Sequence, residues 1–344
     1  MQGNHMMPLD RNESYWMLDG TLVEAARNGD SAELSTYPDY GKLRSSLAAY
    51  AGVIFENILV TPGSDAAIEH VVRVYAANGG EVVLPVPTFY GYESILERAG
   101  AKIVPIAYTE RAGRFVFPLT KTVEALERGT AKILFLCHPN NPLGCPLLPK
   151  DISAIVAAAR KSRTLIVSDE AYFEFSKGTS FLPYLGELSN LVVIRTMSKA
   201  FSLSGARVGY AIAGPDIISK LGKRMLPWPI AHQSVVAALA LLGRAGKVAA
   251  CRKLVIETRE RVYNALCANG FDAYPSETNF ILVRVPDATH VRDAFLKQGI
   301  RVALGEPMSR FEEAKTILKN TVRIAVPAPE SETFFIDAFR KAVR

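Results

Sequence analysis

A succession of short apolar runs, each closed by glycine, proline or a knot of polar residues, constrains this chain more than any other feature. The runs are Asn57–Thr61, Glu81–Leu84, Lys102–Ile106, Ala131–Cys137, Thr164–Ser168, Leu191–Ile194 and Val208–Ala213. They are too short for helices and rich in valine, isoleucine and leucine, so they read as buried strands. Between several of them lie stretches of helical spacing, over Ala66–Ala77, up to Arg98 and over Asp151–Arg160. Apolar strands separated by helices specify an α/β fold, a mostly parallel sheet flanked by helices on both faces. Open sheets of this kind collect ligands beyond the carboxyl ends of their strands. Gly63, Asn141, Asp169 and Lys199 all follow such an end, which makes that edge the place to look for chemistry.

The segment Thr196–Gly209 follows the run Leu191–Ile194 and carries Lys199, with hydroxyls at Thr196 and Ser198 and a guanidinium at Arg207. Lys199 is read as forming a Schiff base, with its neighbours binding a phosphate. Pro62-Gly-Ser-Asp65 opens a helix directly after a strand, and free amides there suit an anion. In isolation, Lys199 is an ordinary surface lysine and Gly63-Ser64-Asp65 an ordinary helix cap. Taken with the other strand ends, they describe a site for pyridoxal phosphate, whose aldehyde needs an amine, whose ring nitrogen works best protonated and whose phosphate needs donors. Lys199 is then also the base that moves the substrate Cα proton. Asp169 lies against the ring nitrogen, Asn141 and Tyr172 donate to the ring's phenolic oxygen, and Phe89 offers a flat apolar face.

From about Asp216 the pattern becomes helical, with Ile230–Leu242 apolar and Val248–Asn269 long and amphipathic. Thr278–Val283, Ile300–Leu304 and Thr321–Val326 then read as strands, with helices at His290–Lys297 and Glu332–Val343. This is a smaller α+β C-terminal domain. A chain of 344 residues suits that division, expected as an arm over 1–36, a large domain over 37–240 and a small one over 241–344. The net charge of +6 is spread along the chain, which suits anionic small molecules better than nucleic acid. Cys137, Cys145, Cys251 and Cys267 lie far apart without metal-ligand spacing, so neither a metal nor a disulfide framework is expected. No apolar run reaches bilayer length and the first residues lack a signal-peptide core, so a cytoplasmic protein is expected.

Several landmarks in order carry a family resemblance: Tyr37-Pro, Pro62-Gly-Ser-Asp65, Pro87-Thr-Phe89, Pro139-Asn-Asn-Pro142, Ser168-Asp-Glu-Ala-Tyr172, Arg195–Phe201, Gly205-Ala-Arg-Val-Gly209, Ser276-Glu-Thr-Asn-Phe280 and Val322-Arg-Ile324. From about Tyr37 to Val343 the chain resembles fold-type I pyridoxal-phosphate aminotransferases, and most closely the histidinol-phosphate aminotransferase subgroup. The resemblance implies that Gly63, Ser64 and Asp65 give amides to the cofactor phosphate, with Thr196, Ser198 and Arg207 completing the cup. It implies that Tyr37 reaches the cofactor phosphate of a neighbouring subunit, hence a homodimer, and that Arg323 grips the anionic end of the substrate. An amino donor and a 2-oxo acid acceptor are the expected small-molecule partners, with no nucleic acid or membrane.

The departures fall on the substrate side. Pro142-Leu-Gly144 replaces the subgroup's Pro-Thr-Gly, and Gly299-Ile-Arg-Val-Ala303 replaces Gly-Ile-x-Val-Arg. Ala303 thus stands where a second phosphate-gripping arginine is usual, and Arg301, expected to share a face with it along one strand, is the candidate substitute. Asn12-Glu-Ser-Tyr-Trp16 puts bulk where the subgroup has Asn-Pro-Tyr, which makes Tyr15 a candidate substrate contact. Trp228 is read as packing. The implied reaction is amino transfer between an amino acid or histidinol phosphate and a 2-oxo acid such as 2-oxoglutarate. A decarboxylase resembling threonine-phosphate decarboxylase is the alternative on the same scaffold. The short stretch before Tyr37 has no room for the DNA-binding domain of a regulator, and no nucleotide-binding glycine motif occurs.

Overall fold

The computed structural model describes residues 6–27, 35–177 and 179–343. Its large sheet contains β1 (Ile58–Thr61), β2 (Glu81–Val86), β3 (Lys102–Ala107), β4 (Ile133–Cys137), β5 (Leu165–Asp169), β6 (Leu191–Thr196) and β7 (Gly209–Ala213), in the order β1-β7-β6-β5-β4-β2-β3. β7 runs antiparallel to both β1 and β6, whereas β6-β5-β4-β2-β3 pair in parallel. Every residue of β4, β5, β6 and β7 is buried, which is why these strands read as continuous apolar runs instead of alternating ones.

The period of two along each strand splits the core into two layers. Leu84, Phe135, Val167, Val192 and Ile194 pack with Ile68 and Val71 of the helix Ser64–Tyr75 and with Leu96 of the helix Tyr90–Arg98. Val83, Leu134, Ile166, Val193 and Ile212 pack on the other face with Leu43 and Leu47 of Gly41–Ala51, Ile155 of Pro149–Ala159 and Leu241 of His232–Leu242. Each such side chain, fully buried, contributes about 1.5–3 kcal/mol, so the sheet is held from both sides.

The second sheet, β8 (Asp272–Ala273), β9 (Phe280–Arg284), β10 (Ala303–Leu304) and β11 (Thr321–Ala325), is antiparallel throughout in the order β8-β9-β11-β10. Ile281, Val283 and Ile324 bury against Phe295, Phe335 and Phe339 of the helices Ala288–Lys297 and Glu332–Val343. The rings of Phe295 and Phe335 stack with centroids 5.8 Å apart.

One expected strand is corrected. Ile300–Leu304 is not continuous: Ile300–Arg301 pairs in parallel with Met7–Pro8, while Ala303–Leu304 joins β11. Val302, buried between them, anchors the change of partner. Two neighbouring segments recruit the two halves into different sheets, a competition that local periodicity does not encode. The arm is consequently stitched to the C-terminal part of the chain: Leu9 is fully buried there, and Trp16 donates Nε1 to the Val326 carbonyl at 3.3 Å. The hairpin Thr109–Arg111 with Arg114–Val116 and the helices Leu119–Glu127 and Glu312–Leu318 had no reading in the sequence.

Candidate active site

The carboxyl edge gathers the functional side chains through the ends of three adjacent strands. Asp169 is the last residue of β5, which runs one residue further than the expected end at Ser168. It is 4% exposed, accepting Tyr92 Oη at 2.6 Å on one oxygen and the Ala171 amide at 3.1 Å on the other. Burial pushes its carboxyl up to about 6, since desolvation outweighs both hydrogen bonds. Next to it, Glu170 is fully buried and paired with Arg195 of β6 at 2.9 Å, with Ser180 and the Phe181 amide completing its bonding. That pair fixes the turn after β5 to β6 and so sets the direction of Asp169.

β6 ends at Thr196, and the chain turns through Ser198 and Lys199. Thr196 Oγ1 donates to Ser198 Oγ at 3.0 Å and accepts the Ser198 amide at 3.1 Å. Arg207, itself left-handed at φ 52°, reaches back with Nη1 to Ser198 Oγ at 3.4 Å and with Nη2 to Asp65 at 3.2 Å. Opposite it lies Gly63, the N-cap of the helix Ser64–Tyr75. The Gly63 amide is engaged by the Thr61 carbonyl at 2.8 Å, which corrects its expected part as an anion donor. Gly63 contributes shape: a Cβ there would stand 2.4 Å from Arg207 Nη2. Ser64 and Asp65 open the helix, in the first turn where backbone amides have no intrahelical acceptor.

Lys199 Nζ donates to the carbonyls of Arg11 and Asn12, each at 3.2 Å, and lies 5.8 Å from the centre of the Tyr172 ring. Burial and the neighbouring Arg323 guanidinium bring its amine down to about 8, against the pull of Glu13 and Asp65. A fraction is therefore neutral near physiological pH, able to attack a carbonyl carbon or to take a proton. Tyr172 is buried and accepts from Asn12 Nδ2 at 2.9 Å. Desolvation raises its hydroxyl above the usual range, so it stays protonated and can donate. Asn141 Oδ1 accepts from Arg323 Nη1 at 2.6 Å, which leaves the Asn141 amide group to donate elsewhere.

Arg323, on β11, is 6% exposed; its Nη2 donates to the Asp10 carbonyl at 2.8 Å, and its Nε is buried without a hydrogen-bond partner among the described residues. Ala303 faces it directly across the ladder. Arg301 lies apart from Ala303's sheet, part-exposed, with Nε 3.7 Å from Asp10, so the expected shared face does not form. Phe89 packs edge-on to Tyr92 at 5.5 Å, beside the Asp169 partner. Tyr15 is 47% exposed. Tyr37 is 75% exposed and stacks on Trp228 at 4.2 Å; in this chain it is outside the cluster around Lys199.

Three members of the cluster had no assigned role in the sequence reading: Tyr92, Asn12 and Asn279, whose Nδ2 donates to the Asn12 carbonyl at 2.9 Å. Asn12 and Asn279 fell inside quoted motifs, but only tertiary contact reveals what they touch. A cavity of about 780 Å³ lined by Arg111, Phe115, Lys121, Arg259 and Tyr274 contains none of the candidate residues; the convergence of polar groups around Lys199 outweighs volume in locating the chemistry. Among the described residues no cluster of His, Cys, Asp or Glu could hold a metal ion, and no single helix is long and apolar enough to cross a membrane.

Comparison with known proteins gives the same frame. The histidinol-phosphate aminotransferase of Thermoanaerobacter pseudethanolicus is 34% identical over 337 residues, 97% of this chain and 92% of that protein. The enzyme of the same name from Caldanaerobacter subterraneus subsp. tengcongensis is 34% identical over 97% of this chain and 92% of its own length. A crystal structure of histidinol-phosphate aminotransferase from Sinorhizobium meliloti in complex with pyridoxal-5'-phosphate superposes with a TM-score of 0.87 at 24% identity, covering 99% of this chain and 92% of that one; at that identity the likeness shows the fold. The family model for aminotransferase class I and II matches residues 4–334, a span that takes in both sheets and every side chain placed around Lys199, and the chain belongs to that family.

Proposed function

We propose that this aminotransferase moves an amino group from an amino acid or histidinol phosphate to a 2-oxo acid such as 2-oxoglutarate, with Lys199 as the amine that carries the cofactor's aldehyde. The cofactor is pyridoxal phosphate, and the residues present fit it. Asp169 is a buried carboxylate whose hydrogen bonds come from a tyrosine and an amide, with no cation paired to it among the described residues; a protonated ring nitrogen supplies what it lacks. The amides of Ser64 and Asp65, the hydroxyls of Thr196 and Ser198 and the Arg207 guanidinium make a donor cup for a dianion. Asn141 and Tyr172 retain donors for the ring oxygen, and Phe89 lies on the Tyr92 side of Asp169. When bound, the cofactor supplies an electrophilic carbon and a ring that accepts electron density from the substrate Cα.

The chain's own residues do the rest. Lys199, neutral in part near pH 7, takes the proton from Cα and returns it at the opposite end of the exchange. Asp169 holds a positive charge at the far end of the site. Arg323 orients the anionic end of the substrate, and its Nε, without a partner among the described residues, is the donor open to a carboxylate or phosphate oxygen. Tyr37, exposed in this chain, is proposed to reach the cofactor phosphate of a second subunit in a homodimer. The observation that carries the reading is the geometry of the Lys199 amine, held by the Arg11 and Asn12 carbonyls 5.8 Å from the centre of the Tyr172 ring, on the edge that also carries Asp169. The relatives' shared name supports histidinol phosphate as donor, while Ala303 opposite Arg323 supports a plain amino acid equally.

The test is half-reaction spectroscopy on protein loaded with pyridoxal phosphate, adding histidinol phosphate and then a panel of amino acids. Conversion of the bound cofactor's colour by at least one donor, reversed by 2-oxoglutarate, is expected. Protein that stays unchanged with every donor, or releases carbon dioxide without passing an amino group on, sinks the proposal.

A further inference from the structure

The arm segment Arg11–Asn12 makes contacts that amino transfer, as described so far, does not use. Asn12 is 1% exposed with a backbone φ of 55°, in the left-handed region where any residue but glycine is costly and asparagine is among the best tolerated. Its Nδ2 donates to Tyr172 Oη at 2.9 Å, and its carbonyl accepts from Lys199 Nζ at 3.2 Å and from Asn279 Nδ2 at 2.9 Å. The Arg11 carbonyl takes a second bond from Lys199 at 3.2 Å. Asn12 Oδ1 is buried without a hydrogen-bond partner among the described residues. A strained, buried asparagine joined to two candidate catalytic groups is more than packing of the arm requires.

The chemistry of the donors limits what these bonds can do. An amide NH₂ only donates, so Tyr172 is an acceptor towards the arm and its own hydrogen points elsewhere. A neutral amine has two hydrogens and one lone pair. With both hydrogens on the carbonyls of Arg11 and Asn12, the lone pair leaves in the remaining direction, away from the arm. Successive carbonyls of an extended segment point to opposite sides; the left-handed turn at Asn12 brings these two onto one nitrogen.

Resting on the aminotransferase reading, we propose that Asn12 is a positioning residue of the reaction centre, aiming the Tyr172 hydroxyl through its side chain and the Lys199 lone pair through its main chain. With its proton affinity lowered by burial and by Arg323 and Arg207, against Glu13 and Asp65, Lys199 has a neutral fraction near neutral pH, and that fraction is the species whose lone pair these bonds aim.

The test compares Asn12→Gly, which keeps the left-handed turn and both carbonyls, with Asn12→Ala, which resists that conformation. Apoprotein is labelled with an amine-acylating reagent across pH, and Lys199 modification is followed by mass spectrometry. The cofactor-loaded forms are followed in single-turnover half-reactions, alone and combined with Tyr172→Phe. Asn12→Gly is expected to label Lys199 as the parent does, yet to slow the maximal half-reaction rate about tenfold, the worth of one buried hydrogen bond, with little change in substrate KM. Added to Tyr172→Phe it is expected to change the rate no further, because the side chain acts through that hydroxyl. Asn12→Ala is expected to shift the labelling profile as well. A Gly variant at the parent rate, or one whose effect multiplies with Tyr172→Phe, overturns the proposal. Should the parent protein show no half-reaction at all, it is the functional reading that fails, and labelling alone then decides the hold on Lys199: identical profiles for Asn12→Gly and Asn12→Ala overturn it, and a shift confined to the alanine variant upholds it.

Discussion

Replacing Gly63 by alanine challenges the phosphate cup without removing a functional side chain. Gly63 has φ 84° and ψ 167°, a combination nearly confined to glycine, so alanine there is strained by about 1–3 kcal/mol. Its Cβ would lie 2.4 Å from Arg207 Nη2 and 3.0 Å from Cζ. The guanidinium is the half-exposed end of a flexible chain, so it yields; moving back by about 1 Å restores an ordinary contact distance. That retreat breaks the 3.2 Å contact to Asp65 and the 3.4 Å contact to Ser198 that aim it. A lost hydrogen bond to a charged ligand costs about 1.5–3 kcal/mol, which is about tenfold to a hundredfold in Kd. The assay is titration of apoprotein with pyridoxal phosphate by equilibrium dialysis, with thermal unfolding of the apoprotein measured beside it. Affinity weakened in that range together with a lower apo Tm is the expected result. A variant that melts earlier but binds with the parent's Kd refutes the placement of the cup between Gly63 and Arg207.

Three further outcomes follow from the same geometry. Ala303→Arg places a second cation across the ladder from Arg323 and should raise the preference for phosphorylated over unphosphorylated donors by about tenfold; an unchanged ratio of kcat/KM values would show that position 303 does not meet the substrate. Lys199→Ala should retain cofactor through the cup but lose turnover by about a thousandfold, and normal turnover would remove Lys199 from catalysis. Asp169 keeps its proton in the folded apoprotein up to about pH 6 while the unfolded chain releases it near its usual value. Between about pH 4 and 6 the folded state thus binds more protons, so the Asp169 contribution to stability falls as pH rises through that window. Asp169→Asn removes it, and urea midpoints of parent and variant apoprotein should diverge in the variant's favour from the acid to the neutral end; parallel curves would contradict the burial argument.

The large sheet was legible because its strands are buried on both faces: Ile133–Cys137 and Leu191–Thr196 need no partner to be recognised as apolar runs. Lys199 and Asp169 were legible for a geometric reason, since strand ends on a parallel sheet converge on one edge whatever the helices do. Tyr92 was not, because a tyrosine in an amphipathic helix reads as core, and its bond to Asp169 is a contact across 77 residues of sequence. The divergence of Arg301 from Ala303 was hidden for a similar reason. Alternation predicts a shared face only while a strand keeps one partner, and the arm takes Arg301 away. Gly63 was found by its motif but given the wrong task, because its amide is consumed by a local turn to Thr61 that spacing does not show.

The stitching of the arm also fixes an order of events. Trp16 finds its acceptor 310 residues downstream, and the Asp10 carbonyl meets an arginine 313 residues away. During synthesis the large sheet has all its strands once Ala213 has emerged, whereas the arm must wait for Asn279, Ile300, Arg323 and Val326. The environment of Lys199 is therefore completed only once β11 is available, and a chain cut between Leu242 and β11 keeps every strand of the large sheet and the helix on its face but lacks the partners that seat the Arg11 and Asn12 carbonyls against the lysine.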